Sequence, residues 1–182
     1  MRLTGIILAG GKSSRMGQDK GLMLLNGKPM VQHVIEAIQP LVGEVIIIAN
    51  QEGYANFGFP VYEDIIKDQG PLAGICTGLQ FSKTQKNLIV SCDVPFIHEE
   101  LLSLLIKNSE GVDVAIPEKD GKTHQLIGVY DQSCLDVFMQ ELSRGQRKIK
   151  LAIEQLNYKV IDASHIDKKV FNNINTKDDI TT

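Results

Sequence analysis

Tryptophan is absent from this chain of 182 residues, and aromatic residues together make up only 5% of it. This scarcity leaves few platforms on which the bases of a single-stranded nucleic acid could stack. The formal net charge is −3, so long-range attraction toward DNA or RNA is missing as well. We therefore predict no nucleic-acid partner and expect any cationic segment to bind a small anion.

Cysteine is also scarce, with three residues at positions 76, 92 and 134. None belongs to a C-x-x-C pair, and the histidines do not lie at spacings typical of zinc ligands. Sparse, unpaired thiols are typical of a reducing compartment. The sequence also lacks the run of about 18 apolar residues that a membrane span requires and the apolar core of a signal peptide. These absences predict a cytoplasmic protein with no membrane partner.

Short apolar segments rich in β-branched residues alternate with amphipathic segments along the chain. The first kind predicts buried strands at Leu3–Leu8, Glu44–Ala49, Pro60–Glu63, Asn87–Cys92, Val112–Ile116, Gln125–Tyr130 and Lys159–Ile161. The second kind predicts helices at Pro29–Leu41, Gly70–Phe81, His98–Lys107, Gln132–Leu142 and Gln146–Leu156. Two further expectations are a turn at Asp120-Gly121 with a loop longer than two residues, and an extended segment over Val170–Asn175 before a last short helix.

Strands without polar alternation, separated by helices, indicate a mostly parallel sheet that is covered on both faces. We therefore expect an α/β fold, with one three-layer α/β/α domain over residues 1–182 and a Rossmann-like sheet. Ligands of such sheets bind beyond the carboxyl ends of the strands, so the residues that follow each predicted strand are the candidates for a functional site.

A cationic loop that contains glycine follows the first predicted strand, with the sequence LAGGKSSRMGQDK at Leu8–Lys20. Glycines at its start allow backbone N–H groups to approach an anion without interference from Cβ. The cations of the loop are Lys12, Arg15 and Lys20. The loop predicts a phosphate site, and a solvated surface turn is the structural alternative.

The glycine spacing of this loop excludes two common phosphate motifs. A Walker A loop would need a glycine five residues before Gly11, where the chain has Ile6. The dinucleotide fingerprint G-x-G-x-x-G fails because Gly10 and Gly11 are adjacent and the next glycine is Gly17. The sequence therefore supports neither a P-loop NTPase nor a dinucleotide-dependent dehydrogenase.

Two carboxylates follow other predicted strands. Asp93 comes directly after Asn87–Cys92, and Asp64 comes directly after Pro60–Glu63. Mg²⁺ prefers one or two carboxylates together with substrate phosphates, so Asp93 is a candidate metal ligand; an Asx turn leading into Pro95 is the alternative. Asp64 is a candidate for contact with a ligand, and capping or solvating a loop is the structural alternative. With the cationic loop, these acids predict Mg²⁺-assisted chemistry on a nucleotide.

The loop resembles the signature of the molybdenum cofactor guanylyltransferases, the MobA family, within the nucleotidyltransferase superfamily. Its ending, Asp19-Lys20-Gly21, is similar to the guanylyl branch in particular. Other segments are similar to family motifs in the same order along the chain: Leu25–Pro29 to L-x-G-K-P, Gly70–Gly74 to G-P-L-A-G, Cys92–Pro95 to C-D-x-P and Asn173–Thr176 to N-x-N-T.

The resemblance implies the fold of the nucleotide-diphospho-sugar transferases and a Mg²⁺-dependent transfer of GMP. GTP would be the donor, the terminal phosphate of Mo-molybdopterin the acceptor, and pyrophosphate the second product. Transient contacts with molybdopterin-biosynthesis proteins or acceptor oxidoreductases are implied too. Two alternatives stay open: a cytidylyltransferase acting on molybdopterin or another phosphorylated metabolite, and a non-catalytic adaptor that binds a nucleotide or the cofactor.

The resemblance also implies roles for particular residues. It assigns nucleotide binding to Leu8, Ala9, Gly10, Gly11, Lys12, Lys20, Asp64 and Asp93. It names Lys20, Asp93 and Arg15 as catalytic residues and makes Asp93 the Mg²⁺ ligand as well. It assigns the pterin substrate to Arg147, Lys148, Asn173 and Asn175. Two positions depart from the family: Ile48, where some members have Asn (here Asn50 follows two residues on), and Gln125, where the family has Pro.

Overall fold

The structure is a computed structural model and describes residues 2–10, 19–174 and 179. The strands are β1 Leu3–Leu8, β2 Leu24–Leu25, β3 Lys28–Pro29, β4 Glu44–Ile48, β5 Val61–Tyr62, β6 Lys86–Ser91, β7 Val114–Lys119, β8 Lys122–Thr123, β9 Ile127–Asp131 and β10 Tyr158–Asp162. The α-helices are α1 Met30–Ile38, α2 Pro71–Phe81, α3 Glu99–Lys107, α4 Cys134–Ser143 and α5 Ile149–Ile153. Short 3-10 turns lie at Lys20–Leu22, Gln39–Leu41, Tyr54–Phe57 and Lys168–Phe171.

The central sheet has the strand order β10-β7-β9-β6-β1-β4-β5, and β8 pairs with β7 outside this path. Strands β6, β1, β4 and β5 are parallel neighbours, and β7 is parallel to β10. Strand β9 lies antiparallel between β6 and β7. The prediction of a mostly parallel sheet is thus confirmed, and the carboxyl ends of β6, β1, β4 and β5 share one edge.

Helices cover both faces of this sheet. Alternate residues of β1 point to opposite faces, so Leu3 and Ile7 pack with α1 and α3, whereas Ile6 and Leu8 pack with α2, α4 and α5. Both faces of the central strands are buried, which explains why their sequences are continuously apolar rather than alternating. The expected three-layer α/β/α arrangement is confirmed.

The turn at Asp120-Gly121 differs from its prediction. β7 continues to Lys119 and pairs with β8 across a loop of two residues, both with positive φ. Such a pair of angles is the geometry of a two-residue hairpin. The predicted loop was too long because the strand expected to pair with β7 across this turn was the one that is now β9. In the structure β8 pairs with β7 at the turn, and β9 comes later and pairs mainly with β6.

Two other boundaries also differ from the sequence expectations. The helix expected over 146–156 is reduced to α5, Ile149–Ile153. The segment expected to be extended from Val170 instead ends a 3-10 turn, because the Asp167 carboxylate accepts a hydrogen bond from the Lys169 N–H at 2.8 Å and so caps that turn. The last predicted helix lies outside the described residues, apart from residue 179. Within the described parts of the chain, no helix combines the length and apolarity needed to cross a membrane.

Close packing of α2 on β1 gives a stability prediction at Gly78. A Cβ at this position would lie 2.5 Å from Cγ2 of Ile6, which is fully buried. Because a packed core resists added volume, we expect Gly78→Val to lower the free energy of unfolding by about 3 kcal/mol, measured by urea denaturation. At Gly43 the nearest atoms, at 2.8 Å, belong to the flexible side chain of Arg2. Gly43→Val is therefore the control and should change stability by less than about 1 kcal/mol; equal losses in both variants would contradict the packing argument.

Candidate functional site

A cavity of about 210 Å³ opens at the carboxyl ends of β1, β4 and β6. Its wall has an apolar side and a polar side that carries three carboxylates and one ammonium group. The lining residues are Leu8, Ala9, Gly10, Asp19, Lys20, Ile48, Asp64, Gly70, Pro71, Gly74, Ser91, Cys92, Asp93 and Leu126. The position is the one expected for a ligand site of a parallel α/β sheet.

The main chain at the end of β1 is held by both neighbouring strands. The Ala9 N–H donates to the carbonyl of Ile48 at 2.9 Å, and the Leu8 carbonyl accepts from the Cys92 N–H at 3.0 Å. Ala9 is buried, whereas Gly10 directly after it is exposed. The chain therefore leaves the sheet at a fixed point, and Gly10, the first glycine of the loop, is exposed where the loop begins.

Asp64 is oriented by Asn50, which follows β4. The Asn50 amide donates to Asp64 Oδ2 at 2.7 Å, and the Asp64 backbone N–H donates to Asn50 Oδ1 at 2.9 Å. The other carboxylate oxygen, Asp64 Oδ1, is buried and has no hydrogen-bond partner among the described residues. Since a buried acceptor without a partner is costly, this oxygen is placed to receive a hydrogen bond from a donor on a ligand.

Asp93 presents a second acceptor of this kind. Its backbone carbonyl accepts from the Ile174 N–H at 2.8 Å, which ties the segment before residue 175 to the end of β6. Its side-chain Oδ1 is buried and, within the described chain, has no hydrogen-bond partner. The alternative of an Asx turn leading into Pro95 gains no support from this oxygen, and Pro95 has no N–H to donate to it.

The environment of Asp93 fits a magnesium ion that shares its ligands with a substrate. No group of three or more His, Cys, Asp or Glu residues in the described parts of the chain could hold a metal by itself. Mg²⁺ usually takes one or two carboxylates and completes its coordination with phosphate oxygens and water. Asp93 Oδ1, which is buried and has no partner within the described chain, suits that mode of binding, whereas the described residues give no support for an all-protein metal cage.

Lys20, which lines the cavity, begins the short turn Lys20–Leu22. Asp19 caps this turn, because its Oδ1 accepts from the Gly21 N–H at 2.9 Å. The hydroxyl of Tyr54 donates to the same oxygen, and Tyr54 is fully buried. Burial raises the pKa of Tyr54, and its neighbours Cys92 and Asp19 raise it further, so the phenol stays protonated as a donor.

The structure brings together the predicted nucleotide residues that it describes. Leu8, Ala9, Gly10, Lys20, Asp64 and Asp93 all line the one cavity. Gly11, Lys12, Arg15 and Asn175 lie outside the described residues. The roles given to all of these residues stay predictions.

The predicted pterin residues that the structure describes, Arg147, Lys148 and Asn173, do not line this cavity. Arg147 is exposed, and its Nε donates to Gln69 Oε1 at 2.8 Å, next to the cavity residue Gly70. Lys148 is exposed just before α5. Asn173 is exposed beside Ile174, whose N–H is bonded to Asp93. Arg147 and Asn173 therefore flank the cavity at two separate points of its rim.

Sequence reasoning gave no role to two side chains that organise the site. Asn50 directly follows the predicted strand Glu44–Ala49, so the strand-end rule could have identified it. Tyr54 had no sequence signal, since its partner Asp19 is 35 residues away. Of the two departures from the family, Ile48 forms part of the apolar wall. Gln125 donates from its amide to Thr123 Oγ1 at 2.6 Å and directly precedes the lining residue Leu126.

Comparison with known proteins gives a consistent family assignment. The model of the MobA-like NTP transferase domain matches residues 5–159. The chain is 35% identical to a probable molybdenum cofactor guanylyltransferase from Flavobacterium johnsoniae, with 98% of this chain and 94% of that protein covered. It is 39% identical to the molybdenum cofactor guanylyltransferase of Cupriavidus necator, with 99% of this chain and 95% of that protein covered.

A solved structure also matches the fold over nearly its full length. The crystal structure of molybdopterin-guanine dinucleotide biosynthesis protein A from Archaeoglobus fulgidus is similar with a TM-score of 0.82 and 28% sequence identity. The similarity covers 98% of this chain and 95% of that chain.

Cys92 lines the cavity, and the burial of its thiol predicts that it does not act as a nucleophile. Burial raises the pKa of Cys76 and of Cys134 to about 12; it also raises that of Cys92, and the charges of Asp93 and Asp19 raise it further. At pH 8 a pKa of about 12 leaves roughly one thiol in 10⁴ ionised. We expect the native protein to resist N-ethylmaleimide at pH 8 and the denatured protein to take up three equivalents, measured by mass spectrometry. Rapid modification of one thiol in the native protein would contradict this.

Proposed function

The chain belongs to the family of MobA-like NTP transferases, and we propose that it is a molybdenum cofactor guanylyltransferase. It transfers GMP from GTP to the terminal phosphate of Mo-molybdopterin and releases pyrophosphate. Besides the named relatives, the observation that carries this proposal is the meeting of Lys20, Asp64 and Asp93 in one strand-end cavity. We also propose that residues 1–182 act as one nucleotidyltransferase domain in the cytoplasm.

In this proposal the base lies against the apolar wall and Asp64. Guanine carries an N1–H and an N2 amino group side by side, and both are donors. The equivalent edge of cytosine places the acceptor N3 beside its amino group. A carboxylate only accepts hydrogen bonds, and Asp64 Oδ1 has no partner within the described chain. Guanine offers two adjacent donors to such a group, whereas cytosine would place the lone pair of N3 against it, so Asp64 favours the guanine edge.

The phosphates lie between the end of β1 and Lys20. The exposed Gly10 allows the backbone of the loop to approach them, and the ammonium group of Lys20 offsets their charge. In the proposal Gly11 also binds the nucleotide, and Lys12 and Arg15 supply further cations for the phosphates. Asp93 holds Mg²⁺, which when bound supplies electrostatic stabilisation of the charge on the phosphates.

The reaction needs no covalent intermediate with the protein. An oxygen of the acceptor phosphate attacks the α-phosphorus of GTP in line and forms the new P–O bond. The bond from that phosphorus to the bridging oxygen breaks, and pyrophosphate leaves with the electron pair. The protein contributes alignment, through the fixed end of β1, and stabilisation of the developing charge, through Lys20 and backbone N–H groups.

The acceptor is assigned to the rim of the cavity, between the segment beside Asp93 and the start of α2. Asn173 is next to the residue whose N–H binds the Asp93 carbonyl, and Asn175 follows it in the chain. Arg147 is held near the amino end of α2 by Gln69, and Lys148 adds a second cation beside it. We propose that these residues bind Mo-molybdopterin. Transient contacts with molybdopterin-biosynthesis proteins and acceptor oxidoreductases would deliver it and receive the product.

Pyrophosphate release tests this function against its two rivals. With Mg²⁺ and molybdopterin that carries molybdenum, we expect release from GTP to exceed release from CTP at least about tenfold, the discrimination that a single buried hydrogen-bonding group provides. Equal or faster release from CTP would favour a cytidylyltransferase. Binding of GTP with no release from either nucleotide would favour a non-catalytic adaptor.

Asp93 gives the sharpest test of the metal assignment. Asp93→Asn keeps the shape of the side chain and removes its charge, so the fold should be unchanged while turnover falls by about 10²–10³-fold. The measurements are pyrophosphate release across a Mg²⁺ titration and the melting temperature. Asp136→Asn removes an exposed carboxylate on α4 and serves as the control with full activity. Undiminished turnover in Asp93→Asn would exclude a role for this residue as metal ligand.

A further inference from the structure

The connection between β4 and β5 carries a fully buried tyrosine, Tyr54. The oxygen of the Tyr54 hydroxyl lies 3.4 Å from the carbonyl of Ala9, where the nucleotide loop begins. The same hydroxyl donates to Asp19 Oδ1, where the loop ends. Tyr54 thus contacts both ends of the segment that joins β1 to Lys20.

The hydroxyl proton has one main acceptor. A phenol carries a single proton, and neither a carbonyl nor a carboxylate oxygen can donate one in return. The Asp19 oxygen is the nearer acceptor, and a charged acceptor makes the stronger bond. The Tyr54 hydroxyl is therefore directed at Asp19, the residue whose other hydrogen bond caps the turn that begins at Lys20.

This turn packs tightly on the tyrosine. A Cβ on Gly21 would collide with the Tyr54 hydroxyl oxygen and would lie 3.1 Å from Cys92 Sγ. The backbone of the turn thus rests directly on the end of the phenol ring. The turn that begins at Lys20 thus packs against a side chain that does not itself line the cavity.

We propose that Tyr54 is a positioning residue for Lys20. Its hydroxyl anchors Asp19 and so holds the turn with the Lys20 ammonium group facing the nucleotide phosphates. Since Tyr54 acts through Asp19 and the turn, its loss weakens contacts to the phosphates and leaves contacts to the base unchanged. This inference rests on the proposed function, in which Lys20 binds the phosphates of GTP.

Tyr54→Phe removes the hydroxyl and keeps the buried ring. The quantities to measure by calorimetry are the dissociation constants of guanosine and of GTP with Mg²⁺. The constant for guanosine divided by the constant for GTP is called the triphosphate ratio, and it gives the contribution of the triphosphate to binding. In Tyr54→Phe this ratio should fall about tenfold, the scale of one lost hydrogen bond to a charged group, while guanosine binding stays the same. A purely structural role would weaken guanosine and GTP equally or leave both unchanged.

The matched control is Tyr130→Phe. Tyr130 is also fully buried, but its hydroxyl donates to the carbonyl of Gln125 and not to Asp19. This variant should leave the triphosphate ratio unchanged. If it lowers the ratio as much as Tyr54→Phe does, the effect is a general one of core hydroxyls and the proposal is overturned.

A double-mutant cycle tests whether Tyr54 acts through Lys20. In a Lys20→Ala background, adding Tyr54→Phe should change the triphosphate ratio less than twofold, because the group that it positions is gone. Independent, multiplicative effects would overturn the proposal. If Tyr54→Phe does not fold, Asp19→Ala removes the acceptor of the same bond and should produce the same selective loss.

The outcomes separate this inference from the proposed function. Wild-type protein that binds GTP no more tightly than guanosine would remove the basis for the proposed function itself. Wild-type protein with a strong triphosphate contribution that Tyr54→Phe retains would leave the proposed function standing and overturn the role of Tyr54 alone.

Discussion

Parallel pairing of β1 with β4 on one side and β6 on the other is the constraint on which the site depends. The register aligns Leu8 with Ile48 and with Ser91, so the three strands end at the same level. Two backbone hydrogen bonds beyond these ends keep Ala9 and Cys92 in line. Because helices bury both faces of the strands, the groups that follow them cannot shift without disrupting the core.

The two carboxylates at the strand ends, Asp64 and Asp93, are held in place while each keeps one oxygen without a hydrogen-bond partner in the described chain. Asn50 occupies one oxygen of Asp64, and the other oxygen is buried without a partner in the described structure. Asp93 also has such an oxygen. Buried acceptors of this kind lower the stability of the free protein, and a ligand that supplies donors or a cation recovers that loss. The site is thus arranged for a ligand rather than for the stability of the empty fold.

Several features of the site could be predicted because they are local in sequence. Strand β1 and the loop after it are adjacent in the chain, as are β6 and Asp93, so the strand-end rule places them correctly. The pairs Asn50–Asp64 and Tyr54–Asp19 join residues 14 and 35 positions apart, and no local pattern connects them. The hairpin at Asp120-Gly121 was misjudged because its second strand has only two residues, too few to show a periodicity.

The amino-acid sequence alone determined the class of fold, the cationic loop and the carboxylates suited to nucleotide chemistry, since apolar periodicity, glycine and charge act over short stretches of chain. Strand order, the reversed direction of β9 and the bonds that orient Asp64 and the Lys20 turn were decided only in the tertiary structure. The physical reason is that a hydrogen bond between distant residues depends on which strands are neighbours and in what register, and neither is encoded in any one segment.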